Sequence, residues 1–191
     1  MDHIHKPKME FGVFQQPLIA LLEDTVEVES LLKDMDSQCA RRMYIRSLFS
    51  LYEGTIWLIK QTCLNASCEV CRKVRHPDKE GLLKDENYEV DANGDIKTRP
   101  RFTPLASNLR FAFMTFSDLF GVDIDLETGS HHWKNFKDSI GVRNRITHPR
   151  SAEDLLISDE EFAKCQDSSY WFNRILHEVL AALTGDRIEG A

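Results

Sequence analysis

The chain has 191 residues, 42% of them hydrophobic, so it can bury one substantial core, and its composition is neither disordered, collagenous nor repetitive. Five cysteines behind a polar start, Met1-Asp2-His3-Ile4-His5-Lys6, point to reduced thiols in the cytoplasm, and charge-free runs such as Phe111 to Ser117 are too short to span a membrane. A formal charge of −7 is not that of a general nucleic-acid binder, yet residues 37–110 hold 13 Lys/Arg against 9 Asp/Glu, which leaves room for a local basic surface.

From Pro17, apolar residues recur at Leu18, Leu21, Leu22, Val28, Leu31, Leu32 and Met35, the spacing of one helix face with proline at its first position. The outward Glu23, Asp24, Glu27, Glu29 and Asp34 read as a solvated face. Ser37 can cap a longer second helix whose buried side is Ala40, Met43, Tyr44, Leu48, Leu51, Thr55, Leu58 and Ile59. Arg46, Glu53 and Lys60 form a polar stripe on it at heptad spacing. The stripe is either surface ion pairing or, at Arg46 and Glu53, the lining of a polar groove facing the segment around Arg143. Cys63, Cys68 and Cys71, followed by His76, have the donor types of a tetrahedral zinc site. With a single C-x-x-C pair and none downstream, small buried residues are the simpler account, and no metal is expected.

Residues 77–103 break the helical pattern with Pro77, Gly81, Asn93-Gly94 and Pro100. Tyr88-Glu89-Val90-Asp91 and Asp95-Ile96-Lys97-Thr98 flank Ala92-Asn93-Gly94 as a short hairpin, and so long an excursion is a candidate binding or regulatory element. Its Lys97, Arg99 and Arg101 are either phosphate contacts or a solvated charge run. Thr103-Pro104 opens the most apolar helix, read as the central core helix, with Leu105, Leu109, Ala112, Phe113, Phe116, Leu119 and Phe120 before Gly121 ends it. Ser130 caps the next helix, which turns Trp133, Phe136 and Ile140 inward. Ser158-Asp159-Glu160-Glu161 is a capping box for the last, running through Phe162, Phe172, Ile175, Leu176, Val179 and Leu183 to Gly185. The expected fold is all-α, one domain over residues 1–191: an antiparallel bundle of about five helices with a hairpin-containing insertion near residues 77–103.

Chemistry concentrates in Arg143-Asn144-Arg145-Ile146-Thr147-His148-Pro149. In an unbroken helix Arg143 and His148 lie on different faces. Pro149 pushes the residue before it out of the helical region, so His148 can swing back toward Arg143. Arg143 is a permanent cation whose fork of donors fits phosphate, and the imidazole of His148 is a group that can move a proton. That pair suits RNA cleavage by the neighbouring 2′-hydroxyl, a reaction that needs no metal and that DNA cannot undergo. Asn144 can orient the histidine or hold a phosphate oxygen, while Arg145 faces elsewhere and reads as solvated. The competing account is a structural helix cap, since both cations also suit a helix C-terminus.

Arg143 to His148 fits the R-x(4–6)-H motif, with a polar residue after the arginine, and with the tryptophan-led helix before it and Pro149 after it resembles the HEPN superfamily. The second helix, Arg41 to Gly54, looks like the long second helix of bacterial members, whereas the hairpin lies outside the common core. The resemblance implies catalytic Arg143 and His148 with Asn144 supporting, in a cofactor-free, metal-independent endoribonuclease, often a toxin or antiviral effector. It also implies RNA as substrate and a homodimer whose two motifs share one cleft. Because the superfamily includes scaffolds, the alternative is a non-catalytic, antitoxin-like or regulatory module that binds a protein partner.

Overall fold

Local signals at the chain's turns set most of its element boundaries. In a computed structural model, which describes residues 11–66 and 77–184, the fold is all-α apart from one two-stranded sheet. Its elements are α1 (Phe11–Asp34), α2 (Gln38–Asn65), α3 (Pro77–Lys84), β1 (Glu86–Val90), β2 (Ile96–Pro100), α4 (Leu105–Phe120), α5 (His131–Thr147), a 3-10 turn (Glu153–Leu155) and α6 (Asp159–Thr184). No helix among the described residues is long and apolar enough to cross a membrane. Cys68, Cys71, His76 and Gly185 lie outside the described residues; Cys63 is buried in α2.

Two compact units divide the chain. Among the described residues, one comprises 12–55 and 124–184, the other 11, 56–66 and 77–123. In the first, α5 packs along α6 around an aromatic cluster of Trp133, Phe136, Trp171 and Phe172, joined by Tyr52 of α2. Tyr52 is fully buried, which raises its pKa well above the usual range, and its hydroxyl meets Ser168 Oγ at 2.9 Å. Helices α1 and α2 approach closely at Gly54, where a Cβ would collide with Leu21. Thr25 and Ser47 join them by a hydroxyl contact of 3.2 Å.

In the second unit the expected hairpin forms with Tyr88 opposite Thr98 and Val90 opposite Ile96. Asp91 closes its turn by accepting from the backbone N–H groups of Asn93 and Asp95, at 2.8 and 3.0 Å. Lys97, foremost, and these backbone donors hold the Asp91 carboxyl below its ordinary pKa. Gly94 takes the left-handed conformation at φ 86°. Lys97 pairs with Asp91, Arg99 with Glu89, and Arg101 donates to Asn87 at 3.4 Å, so each basic residue has a partner inside the hairpin itself.

Several expectations are corrected. Helix α1 begins by Phe11, with Pro17 inside it, and Leu31 and Met35 are exposed rather than core. Residues 77–84 form α3, a sixth helix: Pro77 is its first residue, where the missing N–H costs nothing, and Gly81 lets the Glu86 carbonyl and Tyr88 ring approach. Pro104, not Thr103, occupies the N-cap of α4, and no side chain caps that end. Met43 is 43% exposed, whereas Lys60 is buried at 1%, with its ammonium 2.6 Å from Asp85. A lysine is buried only when paired, and Asp85 adopts φ 54° at the turn where it meets Lys60. Helix α4 buries Leu109, Ala112, Phe113 and Phe116 as expected of a core helix, and α2 is as deeply buried through Ile45, Leu48, Phe49, Leu51, Tyr52 and Ile56.

Candidate active site at the end of α5

Ser130 caps α5 by accepting from the Trp133 N–H at 3.2 Å, and Trp133, Phe136, Val142 and Ile146 bury its inner face. The outer positions of the last turn are thereby turned to solvent. Thr147 is the last helical residue, and its hydroxyl donates back to the Arg143 carbonyl at 2.7 Å. His148 leaves the helix at φ −126° and ψ 60°, as the following proline requires, while its N–H still reaches the Asn144 carbonyl at 3.0 Å. Its imidazole is exposed and makes no hydrogen bond among the described residues.

Arg143 is held from three sides. One guanidinium nitrogen pairs with Glu53, another donates to Asn144 Oδ1 at 3.0 Å, and the group lies 5.5 Å from the centre of the Phe49 ring. The side chain keeps 28% of its surface exposed, and its other N–H donors have no partner among the described residues. Glu53 thus stands beside Arg143, as the groove reading of the polar stripe expects. Arg46 serves differently: its Nη2 donates to the Ile146 carbonyl at 3.2 Å, satisfying one of the carbonyls that a helix end leaves without an N–H. Lys60, the third member of the stripe, belongs to the other unit and its pair with Asp85.

Arg145 is not solvated as expected. It donates to the Asp154 and Leu156 carbonyls at 2.9 and 2.8 Å and pairs with Glu161 at 2.6 Å. Glu161 also completes the capping box by accepting from the Ser158 N–H at 3.0 Å, while its own N–H reaches Ser158 Oγ at 3.2 Å. The same connection is gripped from α2. Gln38 exchanges two hydrogen bonds with the Ile157 backbone at 2.8 and 2.9 Å, and Arg42 donates to the Leu155 carbonyl at 2.9 Å. The chain after His148 is therefore fixed by backbone and side-chain bonds, so His148 stands on an anchored turn.

At the opposite end of α5 the fold assembles a cluster to which the sequence reading gave no role. His132 Nδ1 lies 2.9 and 3.0 Å from the two carboxylate oxygens of Asp167, on α6. Asn135 Nδ2 donates to Asp167 Oδ2 at 2.8 Å, and His131 Nε2 is 3.9 Å from Oδ1. Burial pushes the Asp167 carboxyl up, but the bonds from Asn135 and His132, with the imidazole charges, outweigh it and leave its pKa below the ordinary value. Adjacent histidines at 131–132 are the sole sequence signal of this cluster, since Asp167 is 35 positions from His132.

No family model matches the chain, and no curated protein or solved structure matches it.

Proposed function

We propose that the protein is a metal-independent endoribonuclease of HEPN type, acting on RNA through Arg143 and His148. The observation that carries this reading is the exposed imidazole of His148, without a hydrogen-bond partner among the described residues, on an anchored turn just beyond an arginine whose guanidinium is aimed by Glu53 and Asn144. His148 accepts the proton of a ribose 2′-hydroxyl, and the 2′-oxygen attacks the neighbouring phosphorus. The bond from phosphorus to the 5′-oxygen breaks, that oxygen takes up a proton, and a 2′,3′-cyclic phosphate and a 5′-hydroxyl end result. Arg143 stabilises the charge that builds on the phosphoryl oxygens. His148 is exposed and Arg143 half-buried beside it in one chain, which fits a cleft closed by a second copy, in a toxin or defence effector. Purified protein incubated with varied RNAs and excess chelator tests this. Cleavage that His148→Ala abolishes, at an unchanged melting temperature, is the expected result; intact RNA with the wild-type protein overturns it.

A second reading rests on the ion pair itself. Glu53 neutralises Arg143, and Arg46 caps the Ile146 carbonyl near the end of α5, so the same residues can serve as a structural helix end in a non-catalytic, antitoxin-like or regulatory module. That reading gains if Arg143→Ala lowers stability strongly and no RNA is cut under any of those conditions.

A further inference from the structure

We propose that His131, His132 and Asp167 form a binding site for a divalent transition metal of the zinc class. The three donor atoms lie within 4.8 Å of one another. Zinc bonds to histidine nitrogen and carboxylate oxygen are about 2.0–2.2 Å, so tetrahedral ligands stand roughly 3.4 Å apart. The separations from Asp167 Oδ1, 2.9 Å to His132 Nδ1 and 3.9 Å to His131 Nε2, bracket that value. Small rotations equalise them, and the His131 side chain, 71% exposed, is free to make them. The backbones that carry the donors are fixed, because α5 packs along α6.

The donor set is selective. Two imidazoles and one carboxylate suit zinc, nickel or copper, whereas magnesium and calcium favour all-oxygen surroundings. Asn135 orients the carboxylate by donating to its Oδ2, the supporting arrangement that metal ligands use, while His132 Nδ1 lies against both oxygens and His131 Nε2 nearest Oδ1. The imidazole rings sit 3.7 Å apart between centres, so both histidines face the same carboxylate side by side. One effect opposes binding: the amino end of α5 carries a partial positive charge, which disfavours a cation. The Asp167 charge and two nitrogen donors outweigh it. The site would be three-coordinate from protein, with its fourth position open to solvent. It lies 11 residues before Arg143, roughly 17 Å along the helix axis, and is independent of the ribonuclease reading.

The test is a calorimetric titration of Zn²⁺ alone into full-length protein carrying Cys68→Ser and Cys71→Ser, which removes the C-x-x-C pair of thiols, with Mg²⁺ as the control ion. One Zn²⁺ per chain and no Mg²⁺ binding are expected. His131→Ala, an exposed position that leaves the fold intact, and Asp167→Asn, which keeps the side-chain shape, should each weaken Zn²⁺ binding by about tenfold or more. Failure of the Cys68→Ser, Cys71→Ser protein to bind Zn²⁺, or binding that both variants leave unchanged, overturns the site.

Discussion

The two ends of α5 present histidines in opposite states. At the first turn His132 is held by Asp167, which Asn135 holds in turn; at the last, His148 has no partner among the described residues and the arginine before it has three. One end therefore has a carboxylate fixed on its imidazole, the other a carboxylate fixed on its guanidinium. The difference shows that a histidine's chemistry at a helix end depends on what the facing helix offers. Asp167 of α6 faces the first turn, and Glu53 of α2 faces the last.

The largest effect that sharpens this contrast is at His148. Its replacement by alanine should cost roughly 10²–10⁴-fold in RNA cleavage and leave the melting temperature in place, because no hydrogen bond is lost. A parallel loss of stability would break the contrast, showing His148 to be as tied as His132. Glu53→Gln comes next and separates aiming from charge. With the neutralising carboxylate gone, KM for RNA should fall, while kcat falls about tenfold as the guanidinium loses its orientation. Steady-state cleavage of one short RNA reads both, and unchanged values would assign Glu53 to surface pairing alone.

At the other end, Asp167→Asn in metal-free protein should lower stability by about 1–2 kcal/mol in urea melts, since a charge-assisted bond to His132 is lost. The middle of α5 provides the smallest effect. There the Cys165 thiol of α6 is buried, and burial pushes its pKa up to about 11 from an ordinary 9.0, partly offset by Ser139. The folded state keeps a proton that the unfolded chain gives up, so this contribution is fully present below pH 9 and is lost as pH rises from 9 to 11. Urea melts at pH 8 and 10 should differ by on the order of 1 kcal/mol from this group, a difference that Cys165→Ala removes.

Much of this was legible in the chain. Ser37, Ser130 and the Ser158 to Glu161 box start their helices as read, Gly121 ends α4 in the left-handed conformation at φ 64°, and Asp91 to Asp95 closes the hairpin. These signals act within four residues, and short-range hydrogen bonds need no tertiary partner to be recognised. Pro149 belongs to the same class: its steric demand on His148 is local, so the break in α5 could be stated in advance. The helical character of 77–84 was missed because Pro77 and Gly81 read as breakers, although a proline at the first position is no obstacle.

What the chain could not disclose is which partner each charged side chain would meet. Arg46, Glu53 and Lys60 share one stripe by periodicity, yet one caps α5, one holds Arg143 and one is buried against Asp85. Arg145 looked solvated beside Arg143 and instead ties the connection to α6. Backbone signals are decided by neighbours in sequence, so the sequence alone determined the caps at Ser37, Ser130 and Ser158, the end of α4 at Gly121 and the break of α5 at His148. Side-chain pairing is decided by elements up to 90 or more positions away, so only the tertiary structure aimed Arg143 and joined Asp167 to His131 and His132.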